Sequence, residues 1–252
     1  MTGLDLTILA IAVAALAALY SSVGHGGASG YLAAMALLAV APADMRPTAL
    51  TLNVLVASLA LVQFAQAGHF IWQRFVPFAV TSIPLAFVGG LILLPGWAYQ
   101  PLVALALLWV AVRLLFGDTL VRDRPRRLPL TAALAAGGGI GLVSGLTGVG
   151  GGIYLSPVLM LAGWATAKQA AGIAAAFVLV NSLAGLAGHA AGGGAMPWAM
   201  IGLTAPAAVL GGAIGASLGS RRLASPAIQR MLAVVLLVAV AKLLAGLAGL
   251  AG

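Results

Sequence analysis

Between two apolar runs the chain reads VGHGGASG, from Val23 to Gly30, and in its second half it reads TGVGGGIY, from Thr147 to Tyr154. Both stretches interrupt long hydrophobic segments with clustered glycines, and the surrounding composition decides what that means. Of 252 residues, 63% are hydrophobic and 6% charged, with a mean hydropathy of +1.15. Soluble domains carry about 25% charged residues, so the chain is read as a polytopic all-α membrane protein whose main partner is the lipid bilayer. Non-helical backbone at membrane depth is tolerated only where it is buried in protein or lines a wet cavity. The glycine stretches are therefore read as helix breaks inside the protein.

The breaks belong to a duplication. Pro84–Gly90 reads PLAFVGG and Pro206–Gly212 reads PAAVLGG. Leu102–Gly117 (LVALALLWVAVRLLFG) likewise matches Met231–Gly246 (MLAVVLLVAVAKLLAG). Three matches in one order divide the chain into a first repeat (1–116), a basic linker (117–129) and a second repeat (130–252). Apolar segments are expected at 4–22, 28–40, 47–67, 75–94 and 101–116, then at 130–146, 153–162, 166–187, 197–219 and 228–248. The second of each set falls short of the about 20 residues needed to cross a bilayer. It either completes a broken helix or turns back.

Basic residues choose between these. If the chain turns back at each glycine cluster, only Arg46 and Lys242 fall on one side and the other ten Lys and Arg on the opposite side. If the helices continue through the glycines, the split is close to even. The positive-inside rule thus predicts re-entrant short segments, two inverted repeats of about five helical segments each, and a cytoplasmic linker. In inverted-repeat transporters such breaks meet near the midplane and point half-helix N-termini at anionic groups. Segments starting near Ala28 and Ile153 would do this from opposite faces, which reads as an anion site.

The run Gly148-Val149-Gly150-Gly151-Gly152, followed by Pro157, resembles the repeated G-x-G-G-G motif of the TauE/SafE sulfite exporter family, also called TSUP. Length, duplication and the Pro-to-Gly-Gly helices extend the resemblance over nearly the whole chain. It implies a carrier in the bacterial inner membrane for sulfite, thiosulfate, organosulfonates or a similar small sulfur oxyanion, working by alternating access. The first half departs from the motif, with Ala28 at the third glycine, Ala33 at the proline and His25 at the variable position.

The candidate substrate-binding set is Gly24, His25, Gly26, Gly27, Ser29 and Asn53 from the first half, with Gly148, Gly150, Gly151, Gly152 and Asn181 from the second. An ionisable residue at membrane depth is a functional hypothesis by default, which favours an anion contact for His25 over packing against carbonyls. Asn53 and Asn181 either line the site or link helices. His69 and His189 are expected at helix boundaries. Gly137, Gly141 and Gly145, like Gly211, Gly215 and Gly219, read as close helix packing, so Gly215→Ala is expected to act more mildly than a change at Gly150.

Other functions fit less well. The +8 charge is scattered at helix ends rather than striped, which argues against nucleic acid. No cysteine is present for a thiolate site, and no HExxH or GxxxxGK[ST] motif for a metalloprotease or nucleotide pump. Neither an enzymatic activity nor a cofactor is expected. The alternatives are a passive anion channel and an intramembrane hydrolase built on Ser144 and His189. The sequence leaves the oligomeric state open.

Overall fold

The structure, a computed structural model, describes residues 3–116 and 126–221 together with Leu236, Leu237, Val240, Ala241, Leu243 and Leu244. Most of the linker and most of the segment expected at 228–248 lie outside the described residues. The described elements are all helical: α1 (Gly3–Ser21), α2 (Ala28–Leu37), α3 (Pro42–Gln66), α4 (Trp72–Leu91), α5 (Gly96–Phe116), α6 (Leu130–Thr147), α7 (Gly152–Leu161), α8 (Ala167–Ala191) and α9 (Trp198–Arg221). Helices satisfy their own backbone groups, which a hydrocarbon solvent requires. Six of them (α1, α3, α4, α6, α8 and α9) are long and apolar enough to cross a membrane. Their outer faces expose Leu4 of α1 and Leu210 of α9, each about two-thirds accessible, as a lipid-facing surface would.

The two short segments are 10-residue helices, α2 and α7. Both turn back. Arg126, just before α6, donates its N–H to the carbonyl of Gly163, just after α7, at 2.7 Å, so α7 returns to the side from which α6 started. In the first half Gly30 of α2 lies against Leu16 and Tyr20 of α1. The expected start of the third segment is corrected from 47 to Pro42, because proline at the first helical position carries no orphan N–H and is already set to helical φ. Pro47 is then accommodated inside the helix.

Close approaches fix the helix directions. Gly137, Gly141 and Gly145 of α6 meet the backbone of Phe78, Ser82 and Ala86 in α4. Both numberings rise together, so these helices are parallel. Gly211, Gly215 and Gly219 of α9 meet Ala14, Ala18 and Ser22 of the α1 end in the same sense. Absence of a side chain lets these backbones touch, the usual basis of tight helix pairs in membranes. By similar pairings α3 runs with α9, through Thr48–Met200 and Gln63–Ala213. Likewise α8 runs with α4, through Gly172 near His69 and Gly188 near Phe87. The central helices α3 and α8 oppose each other, since Arg46 bonds His189 and Asn53 bonds Ser182. The first helix of each half therefore packs on the fourth helix of the other.

Candidate functional site

The two longest pairable helices, α3 and α8, are each 25 residues long. Asn53 is the twelfth residue of α3 and Val178 the twelfth of α8, so both mark mid-helix. The glycine clusters meet there. A side chain added at Gly26 would strike the Asn53 amide and Val178, and one added at Gly150 would strike the same two residues and the Ser182 hydroxyl. Sequence-distant breaks thus converge on one point, as the half-helix reading expects.

Asn53, fully buried, bonds to both sides of this point. Its Oδ1 accepts from the N–H of Ala28 at 3.1 Å, the first residue of α2. Its Nδ2 donates to the carbonyl of Val149 and to the hydroxyl of Ser182, each at 3.4 Å. The starts of α2 and α7 are prepared by Gly27 (φ 101°) and Gly151 (φ 81°), which take the left-handed conformation that glycine adopts without a Cβ clash. Neither supplies a side-chain cap. Among the described residues, the N–H groups of Gly26, Gly27, Gly150 and Gly151 have no acceptor. Uncapped helix N-termini carry a partial positive charge and free donors. The two helix starts and their unpaired N–H groups thus meet beside one buried carboxamide, which already takes the first N–H of α2.

The other expected residues distribute around it. His25 lies in the first cluster, and its Nε2 pairs with the Ser156 hydroxyl of α7 at 2.9 Å, joining the two halves. Gly152 lies against the same imidazole. Gly24 and Gly148 sit apart from the centre. A methyl at Gly24 would meet the backbone of Ala171, and one at Gly148 the side chain of Arg46. Ser29 faces α1, where it donates to the Tyr20 hydroxyl at 3.0 Å. Asn181 donates to the carbonyl of Phe177 on its own helix at 2.8 Å, and its Oδ1 has no partner among the described residues. The asparagines are not counterparts: register matches Asn53 with Val178.

Ser156 and Ser182, both buried, were not singled out from sequence, because nothing local separates them from other helical serines. Arg46 is the larger omission. Counted from sequence as a loop charge, it is instead 4% exposed within α3. Its Nη1 donates to the Ile92 carbonyl at 2.8 Å, and its Nη2 to the Gly90 carbonyl at 3.0 Å and to Nδ1 of His189 at 2.8 Å. Since the guanidinium can only donate, Nδ1 of His189 accepts, and its Nε2–H donates to the Ala195 carbonyl at 3.0 Å. His189 does sit at the end of α8, but as a buried link. Both its ring nitrogens are engaged away from Ser144, whose hydroxyl has no partner among the described residues, so no Ser–His pair forms. His69 lies in the loop after α3, where burial and then the nearby Lys168 charge hold its imidazole below the usual range.

A cavity of about 300 Å³ lies elsewhere, lined by Trp109, Gly139, Ile140, Val143, Tyr154 and Val158. Its apolar walls do not suit an anion.

Comparison with known proteins agrees with these observations. The family model described as "Sulfite exporter TauE/SafE" matches residues 8–243. A protein of Sinorhizobium fredii (strain NBRC 101917 / NGR234), described as "Probable membrane transporter protein y4hK", is 41% identical over 244 residues, covering 94% of this chain and 97% of that protein. No solved structure matches. A helical membrane architecture, paired glycine breaks and a match over nearly the whole chain lead to one conclusion: the chain belongs to the sulfite exporter TauE/SafE family and is a multi-pass membrane transporter.

Proposed function

We propose that this transporter exports a small sulfur oxyanion (sulfite, thiosulfate or an organosulfonate) across the bacterial inner membrane by alternating access. The substrate site is the meeting point of the glycine clusters at Asn53. The observation that carries this reading is that both clusters, from opposite halves, close on one carboxamide at the middle of α3 and α8. An oxyanion there would accept from the free N–H groups of Gly26, Gly27, Gly150 and Gly151, with His25 at the edge. Corresponding helices of the halves (α1 and α6, α3 and α8, α4 and α9) fall into sets of opposite direction, which supports inverted repeats, and the Lys and Arg excess supports a cytoplasmic side for the linker. In that arrangement either end of the bundle can open while the other stays packed.

Export has a physical driving force. A single negative charge leaving an inside-negative cell gains about 2.3 kcal/mol per 100 mV, so outward movement requires no coupled ion.

The test is flux in liposomes holding the purified protein, with sulfite, thiosulfate and methanesulfonate as probes. A carrier gives saturable uptake, and unlabelled anion inside accelerates the uptake of labelled anion. Uptake proportional to concentration, without that acceleration, identifies a channel. Failure to move any of the three overturns the substrate assignment.

A further inference from the structure

Arg46 is a cation held almost out of solvent by neutral partners. Two are carbonyls at the end of α4, Gly90 and Ile92, and the third is the imidazole of His189 at the end of α8. These bonds tie the start of α3 to the ends of two other helices. They use three of the five N–H groups a guanidinium offers. None of the three acceptors carries a charge, whereas an oxyanion reaching this point brings opposite charge and can pair with the guanidinium through two parallel bonds.

Arg46 lies between the Asn53 centre and the start of α3. Arg46 and Asn53 are seven residues apart on α3, hence on one face and about 10 Å apart along the axis. The second glycine cluster spans that gap, with Gly148 against the Arg46 side chain and Gly150 against Asn53.

At the opposite end of the bundle the corresponding positions carry no charge. Arg46 is the fifth residue of α3, and the fifth of α8 is Ala171. His189 is the twenty-third of α8, and the twenty-third of α3 is Phe64. Gly24 meets Ala171 just as Gly148 meets Arg46. Phe64 and Ala171 belong to one apolar cluster with Ala60, Ala175 and Ala216. The same junction is closed by hydrocarbon at one end and by an arginine–histidine pair at the other.

We propose that Arg46 is a second anion-binding residue and that its present bonds are the closed form of a gate. An anion arriving from the Asn53 centre takes the guanidinium from the α4 carbonyls and His189, and so releases the start of α3 from the ends of α4 and α8. This rests on the substrate reading above and adds the step by which the anion opens one end only.

The test combines flux with hydrogen exchange, using thiosulfate as the probe. In the parent, thiosulfate should increase amide exchange in residues 88–92 and 189–195. Arg46→Gln keeps a donor for the carbonyls but no charge, and should raise the KM for thiosulfate roughly tenfold or more, the worth of one charge-assisted hydrogen bond. The double variant Arg46→Ala/His189→Phe copies the apolar end. It should fold, show no thiosulfate-dependent exchange at those residues, and share the raised KM. A parental KM in either folded variant overturns the gate and leaves the carrier reading intact. So does unchanged exchange in a parent that transports thiosulfate, a result that depends on no substitution. A parent that moves no sulfur anion overturns the carrier reading itself, and the gate with it.

Discussion

Replacing Asn53 with aspartate separates an anion site from a simple link between helices. The side chains have nearly the same shape, and the carboxylate keeps the acceptor that Ala28 N–H uses. What disappears is the Nδ2 bond to the Val149 carbonyl at 3.4 Å, while the Ser182 hydroxyl, which now accepts from Nδ2, can turn and donate to the carboxylate. One orphaned carbonyl costs about 1–3 kcal/mol, less than the about 5–15 kcal/mol of a typical fold, so the variant should remain folded. The added charge matters more. An anion on the Gly26 and Gly150 N–H groups would lie beside the new carboxylate, because both glycines pack against Asn53. At a separation of about 6 Å and an effective dielectric constant of about 20 the repulsion is about 3 kcal/mol per unit charge, or about two orders of magnitude in affinity. The assay is thiosulfate flux in liposomes at high and low pH, since thiosulfate keeps its charge throughout. Flux should collapse at high pH, where the carboxyl is ionised, and recover as pH falls through its titration and the group becomes neutral. Asn53→Ala is the contrasting variant. It leaves Ala28 N–H, Val149 C=O and the Ser182 hydroxyl unpaired, each at a cost of about 1–3 kcal/mol, and should lose thermal stability at every pH. An Asn53→Asp protein with the parental KM at both pH values would refute the placement of the anion.

Gly150→Val should abolish flux, because φ there is +82° and the new side chain strikes Asn53, Val178 and Ser182. The mild comparison expected at Gly215 is replaced by one at Gly139: a methyl at Gly215 meets the Ala18 carbonyl, whereas nothing lies within 4 Å of one at Gly139. Gly139→Ala should keep flux and gain up to about 1 kcal/mol in stability, and loss of flux there would show that any glycine change is damaging. For His25 and Ser156, a double-mutant cycle in unfolding free energy should give a coupling of about 0.6–1.7 kcal/mol, and additive effects would remove the bond across the halves. The chain has no cysteine, so single cysteines placed within 118–128 and beyond residue 245 can be labelled from either side. They should react from opposite sides of the membrane, and reaction from one side would contradict the inverted arrangement.

Much of the fold was legible because membrane depth leaves few options. Segments of about 10 residues cannot cross, and glycine clusters cannot continue a helix cheaply. The meeting of the clusters followed from the same constraints. The identity of the group between them did not. Asn53 and Asn181 look alike by type and by segment, yet the equal lengths of α3 and α8 match Asn53 with Val178. The helix starts that fix this register, at Pro42 and Ala167, are set by capping and packing. Asn181 instead bonds its own helix. Arg46 was misread because charge counting treats every arginine as a loop residue. Once α3 starts at Pro42, the same residue lies inside the helix, and its partners come from chain segments more than forty residues away.

The central claim is that an oxyanion binds where the two glycine clusters meet at Asn53. The most direct measurement is anomalous scattering from crystals of the protein soaked with selenite, the selenium counterpart of sulfite. The account predicts a selenium peak within hydrogen-bonding distance of the Gly26 and Gly150 amides and next to Asn53, absent in Gly150→Val. A transport-competent protein whose selenium lies only elsewhere, such as the apolar groove beside Trp109 and Tyr154, would contradict it.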